Sequence, residues 1–214
     1  MNTRSTHAAR FALLVVTAAL ATAVVATPAI AAAAAAAPAP SKASASQAAA
    51  LPSDSVYQLP LVLTDQHGKA RDWRERRGKP QLVAMFYSNC RFICPLIIES
   101  GKAVERQLAP AQQPKLGVLY ISMDPARDTP ARLADVVRDR RIDDARWTLA
   151  APRAADVRAV AGVLDIRYRQ LSDGEFNHTS ALILLDAEGR IVARTEKMGS
   201  DIDPAFLAAV ESAL

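Results

Sequence analysis

The two cysteines of this 214-residue chain, Cys90 and Cys94, stand four residues apart in Tyr87-Ser88-Asn89-Cys90-Arg91-Phe92-Ile93-Cys94-Pro95. On a helix, that spacing sets two side chains on one face, a turn apart, so both sulfurs can address one ligand. A third soft donor, His178, lies far downstream in Phe176-Asn177-His178-Thr179-Ser180. An imidazole delivered to the thiols by the fold would complete a Cys2His set suited to Cu(I) or Zn(II). The same thiols can also exchange with a disulfide. A helix N-terminus lowers a thiol pKa through its exposed amides, and Arg91 adds positive charge, so both cysteines are expected to be substantially thiolate near neutral pH.

A structural disulfide is the plainer alternative for two cysteines in an exported protein. A bridge across four residues closes a very small loop, so it removes little entropy from the unfolded chain. Metal or redox chemistry is therefore the expected use of the pair. Asp124 and Asp128 offer oxygen donors for Cu(II) or for orienting His178, but turn formation and helix capping are their expected roles. Met123 is a candidate auxiliary copper donor. His67, in a Gln-His-Gly-Lys turn, reads as a surface residue.

The elements that must position these groups are legible around them. Gln81 to Tyr87 is a nearly continuous apolar run, as expected of a strand buried on both faces. The thiol motif follows at once, and Leu96 to Leu108 continues with helical spacing, which places the cysteines where a strand ends and a helix begins. Gln58 to Thr64, followed by the turn residues Asp65-Gln66-His67-Gly68, predicts an N-terminal hairpin. Leu116 to Ser122 reads as a second buried strand. A helix is expected over 131–140, with Asp128 or Thr129 as its cap and Pro130 in its first turn. A short strand over 147–149 precedes a helix over 153–164. The runs 181–186 and 190–194 flank Ala187-Glu188-Gly189 as an antiparallel hairpin, and a last helix runs from about Asp203. Such an order implies an α/β class with a mixed central sheet flanked by helices.

The first fifth of the chain has a different character. Arg4 and Arg10 precede an uncharged apolar run from Phe11 to Ile30, and Ala29-Ile30-Ala31 suits signal peptidase. Residues 1–31 are thus expected to be a cleaved signal peptide, with an uncleaved membrane anchor as the alternative. The first cysteine is Cys90, which argues against lipid attachment after the apolar run. Residues 32–52, rich in Ala, Pro and Ser, read as a disordered linker, leaving 53–214 as one domain. Basic and acidic residues alternate, as in Arg71-Asp72-Trp73-Arg74-Glu75-Arg76-Arg77, so no nucleic-acid footprint is evident.

Taken together, residues 55–214 resemble the thioredoxin superfamily and, within it, the Sco/SenC family of copper proteins. The resemblance is carried by Phe86-Tyr87-Ser88-Asn89-Cys90 through Cys94-Pro95, by Ser122-Met123-Asp124-Pro125-Ala126-Arg127-Asp128-Thr129-Pro130, and by Asn177-His178-Thr179-Ser180 leading into Leu184-Leu185-Asp186. It implies a thioredoxin-like fold and a periplasmic or inner-membrane copper chaperone that serves cytochrome c oxidase subunit II. It also implies Cys90, Cys94 and His178 as copper ligands; a monomer is expected apart from the resemblance. The family often has an acidic residue between the cysteines and an Asp before the histidine, where this chain has Arg91-Phe92-Ile93 and Asn177. The competing expectation is a thiol–disulfide reductase, with Cys90 attacking and Cys94 resolving. Three residues separate the cysteines, however, rather than the two usual in such enzymes. Peroxidase activity of the peroxiredoxin kind ranks last, since no threonine stands three residues before either cysteine.

Overall fold

The computed structural model describes residues 50–90 and 93–214, so the expectations for residues 1–49 and the side chain of Arg91 lie outside it. The chain enters the sheet through an antiparallel hairpin, β1 (Val62–Asp65) and β2 (Ala70–Asp72). The Asp65 carboxylate closes its turn by accepting from the His67 and Lys69 amides, both at 2.9 Å. Strand β3 (Gln81–Phe86) is buried at every position, as its apolar run requires. It leads through the cysteine loop into helix α1 (Ile93–Gln107).

Two crossovers follow, with β4 (Gly117–Ser122), α2 (Pro130–Asp139) and β5 (Trp147–Pro152). Strands β3, β4 and β5 are parallel neighbours, and a helix joins each pair as a parallel ladder demands. The 3-10 turn Ala154–Asp156 opens into a short α3 (Val157–Val163). Beyond it a separate two-stranded hairpin forms, β6 (Tyr168–Gln170) with β7 (Phe176–His178). Strands β8 (Leu182–Leu185) and β9 (Ile191–Thr195) return to the main sheet, and α4 (Pro204–Ser212) ends the chain.

The main sheet has the order β2-β1-β5-β4-β3-β8-β9, mixed as expected, with β3 and β4 at its centre. Helix α1 packs on β3 and β8, α2 on β5 and β1, and α4 on β9. The core between these layers is fully apolar at Leu82, Val83, Ile97, Leu119, Leu149 and Leu184. One close approach fixes how α1 sits. A Cβ on Gly101 would lie 2.3 Å from Tyr120 Oη and 2.7 Å from Trp147 Cη2. With only a hydrogen there, the Tyr120 hydroxyl reaches the Ile97 carbonyl, at 2.8 Å, and ties the helix to β4. Among the described residues, no helix is long and apolar enough to cross a membrane.

Candidate metal centre

The cysteines stand at the C-terminal end of β3, the central position that the sequence assigns them. Cys94 lies in the first turn of α1, whereas Cys90 sits in the preceding loop, not one turn below it on the same helix. Neither is in a disulfide and both are buried. The helix start leaves amides without intrahelical partners. The Cys90 sulfur accepts one of them, from Cys94 N–H at 3.4 Å, while the Cys94 sulfur accepts from Tyr87 N–H at 3.5 Å. Pro95 follows in the first turn, where a missing N–H costs nothing.

The expectation of two low-pKa thiols fails at Cys94. Its hydrogen bond with the Cys90 sulfur, and then burial, push its pKa far above the usual thiol value. The donated amide from Tyr87 pulls the other way but is outweighed. A proton thus stays on Cys94, shared toward Cys90.

Behind the loop, Asp128 is buried and accepts from Ser88 N–H through both oxygens at 3.2 Å, with the Ser122 hydroxyl also donating to it. Burial raises the Asp128 pKa, against the lowering effect of those donors. Thr129 caps α2 by accepting from Arg132 N–H at 3.3 Å, so Asp128 braces the cysteine loop rather than capping. Asp124 forms the turn expected of it, its carbonyl accepting from Arg127 and Asp128 amides, and its carboxylate pairs with Arg127. Met123 is a buried core residue whose amide donates to the Phe86 carbonyl at 2.8 Å.

His178 ends β7, opposite Tyr168 in the register of the small hairpin. Its Nδ1 lies 3.1 Å from the Thr179 carbonyl, which can only accept, so Nδ1 carries the proton. The other nitrogen, Nε2, keeps its lone pair, is shielded from water and has no hydrogen-bond partner among the described residues. A backbone carbonyl on one nitrogen and an open lone pair on the other is the arrangement that metal-ligating histidines use.

The hairpin is fastened over the cysteine loop by side-chain hydrogen bonds. Tyr87 donates its hydroxyl to Glu175 at 2.7 Å and accepts from Phe176 N–H at 3.3 Å. Burial, followed by the Glu175 bond, raises the pKa of this phenol, which also contacts the Cys90 thiol. Asn89 reaches the same carboxylate at 3.3 Å, and Arg127 donates to the Gly174 carbonyl. Glu175 had one sequence signal, its place beside the turn residues Asp173-Gly174, but nothing in the sequence names its partners.

Among the described residues, no three His, Cys, Asp or Glu side chains converge closely enough to hold a metal ion. The two thiols are together, and His178 is one aromatic ring away, its centroid 6.0 Å from that of Tyr87. His178 borders a separate open groove with Arg167 and Arg169, while the thiols face a cavity of about 160 Å³ beside Pro95 and Arg132.

The SCO1/SenC family model matches residues 50–211. The chain belongs to the SCO1/SenC family. Protein SCO2 homolog, mitochondrial, from Bos taurus is 36% identical over 91 residues, which span 42% of this chain and 34% of the bovine protein. The chain therefore spans about a third of the length of that curated relative. Among solved structures, Bradyrhizobium japonicum ScoI with copper bound is 27% identical and superposes with a TM-score of 0.61, over 73% of this chain and 98% of ScoI. A SCO1/SenC family lipoprotein from Bacillus anthracis str. Ames, 18% identical, shares the fold with a TM-score of 0.63 over 72% of this chain and 93% of its own. The mixed sheet flanked by helices is thus the thioredoxin-like architecture of Sco proteins.

Proposed function

We propose that this protein is an exported copper chaperone that holds its cargo with Cys90, Cys94 and His178. It passes the metal to an apo-cuproenzyme, the binuclear copper centre in subunit II of cytochrome c oxidase. The observation that carries the reading is the state of His178: Nδ1 is committed to the Thr179 carbonyl and Nε2 is buried without a partner among the described residues. A buried polar nitrogen left unsatisfied costs about 1–3 kcal/mol, so its persistence calls for a ligand. Two thiols at the end of the adjoining strand supply the soft donors that Cu(I) prefers. Three donors leave a position at which an acceptor's thiolate can attach before the cargo is released.

Gathering all three donors on one ion requires the β6–β7 hairpin to shift toward the cysteine loop. Its fastenings at Tyr87, Asn89 and Arg127 are side-chain hydrogen bonds near its turn, not sheet ladders, which leaves room for that shift. Residues 1–31 serve as the export signal, or as an anchor in the inner membrane, and 32–52 as the tether to a monomeric periplasmic domain. X-ray absorption on the Cu(I)-loaded protein tests the ligand set. Two sulfurs and one nitrogen around copper are expected. A sulfur-only spectrum unaltered by His178→Ala would overturn it.

A second reading, thiol–disulfide reductase, draws on a different observation. The thiols are reduced, adjacent and open to a cavity without any help from His178. The proton retained by Cys94 suits it to the resolving role and Cys90 to the attacking one.

A further inference from the structure

The cavity at the thiols has a one-sided wall. Phe86, Ile98 and Val136 form its apolar part, and Arg132 and Arg140 from α2 and its C-terminal end supply the charge. Neither guanidinium takes part in an ion pair among the described residues. The third charged lining group, Asp139, is spent on Arg138 at 3.1 Å. Asp128 lies behind the loop, fully buried and held by Ser88 and Ser122, outside the lining. Arg132 is not a loose surface side chain. Its Nε donates to Ser88 Oγ at 3.1 Å and its Nη2 approaches the Ser88 carbonyl at 3.5 Å, so it is moored to the loop that precedes Cys90. Its outer N–H groups remain available, in the planar fork that matches a carboxylate.

At about 160 Å³ the cavity is smaller than the roughly 300 Å³ at which pockets for small organic ligands begin. It suits a single entering side chain rather than a free small-molecule cofactor. We infer that the thiol site selects a partner cysteine flanked by carboxylate side chains, which Arg132 and Arg140 steer onto Cys90. The inference rests on the reading of Cys90 and Cys94 as the groups that react with a partner, and it applies to copper transfer and to disulfide exchange alike.

Disulfide exchange gives the cleaner readout, because it needs no metal. Cys90, its proton released to solvent, attacks one sulfur of a peptide disulfide. The peptide S–S bond breaks, a Cys90–peptide disulfide forms, and the other peptide leaves as a thiolate. Cys94 then gives up its proton and displaces the bound peptide, closing Cys90–Cys94. The two protein thiols have supplied the two electrons that reduce the probe.

The experiment follows the rate of this exchange for the full reduced chain with glutathione disulfide and three peptide probes. The peptides are the homodimeric disulfides of acetyl-Glu-Cys-Glu-amide, its Gln-Cys-Gln isostere and its Lys-Cys-Lys counterpart, each at low and high salt. Electrostatic steering toward a charged cleft raises association about 10-fold or more at low ionic strength, so the Glu peptide should outpace the Gln peptide by that order. Salt should erase the difference, and Arg132→Gln/Arg140→Gln should bring the Glu-peptide and Gln-peptide rates together. Equal Glu and Gln rates in the wild type would overturn the inference while leaving the reactive pair intact, as would a Glu preference that survives in the double variant. Failure of every peptide to react would overturn both the inference and the reading beneath it. Glutathione disulfide outpacing the Glu peptide would overturn the choice of a protein partner over a small anionic thiol.

Discussion

The rings of Tyr87 and His178 meet edge to face, their centroids 6.0 Å apart and their planes at 75°. Through that contact the strand that delivers the thiols touches the hairpin that delivers the imidazole. Tyr87 is also the residue whose amide donates to the Cys94 sulfur and whose hydroxyl holds Glu175. One side chain therefore links both halves of the proposed metal centre.

Removing only the hydroxyl tests that link. Tyr87→Phe keeps the ring contact but leaves Phe176 N–H and the Glu175 carboxylate without their partner. A hydrogen bond to a charged group contributes about 1.5–3 kcal/mol, and Glu175 keeps its bond from Asn89, so a loss near the lower end is expected in urea unfolding. Hydrogen exchange should quicken across residues 168–178 more than in β3 or β4. Unchanged protection in the hairpin would show that Tyr87 does not hold it down.

Asp128 predicts a pH dependence with a definite sign. Burial raises its folded-state pKa above the ordinary 3.8, so the native state holds this proton more tightly than the unfolded chain does. The stability contributed by that preference is full below the unfolded pKa and is lost as pH rises through the folded value. Asp128→Asn cannot ionise and should escape this loss. The stability of the variant minus that of wild type should therefore climb as pH rises from about 4 and then level off above the folded pKa. A flat difference would mean that the donors at Ser88 and Ser122 cancel the effect of burial, and one that falls with pH would mean that they stabilise the anion.

Gly101→Ala sets two effects against each other. Alanine favours a helix interior by about 1 kcal/mol, but its methyl would stand 2.3 Å from Tyr120 Oη. Overpacking costs roughly 1–3 kcal/mol, and the Tyr120–Ile97 bond is put at risk as well. Net destabilisation by chemical denaturation is expected, together with a change in Trp147 fluorescence, since its ring borders the same space. A stabilised variant would show that α1 can lift from β4 at no cost.

How far the sequence reveals this arrangement depends on what kind of signal each part carries. Strands β3, β4 and β8 are continuous apolar runs, and the turns at Gly68 and Gly189 bound clear hairpins, so the sheet and the position of the thiols are readable in advance. The β6–β7 hairpin is not. Its strands are three residues each and mostly exposed or half-exposed, with no apolar alternation in Tyr168-Arg169-Gln170 or Phe176-Asn177-His178. The expected helix over 153–164 opens as a 3-10 turn and is regular only from Val157. At the site, residue types announce soft donors, but the state of each donor is set by contacts distant in sequence. Position at a helix start suggests an acidic Cys94, whereas its neighbour sulfur and its burial make it the opposite. Asp128 looks like a cap because it precedes a helix, yet the amide it serves is forty residues away, at Ser88.

In the proposed centre two thiols and one imidazole share a single copper ion. A competitive Cu(I) titration of the reduced protein against a chromophoric chelator, beside Cys90→Ser and His178→Ala, tests it most directly. One tight equivalent is expected in the wild type, with affinity falling about 10-fold or more in each variant, as when a ligand or its support is lost. Wild-type affinity retained in His178→Ala would contradict it.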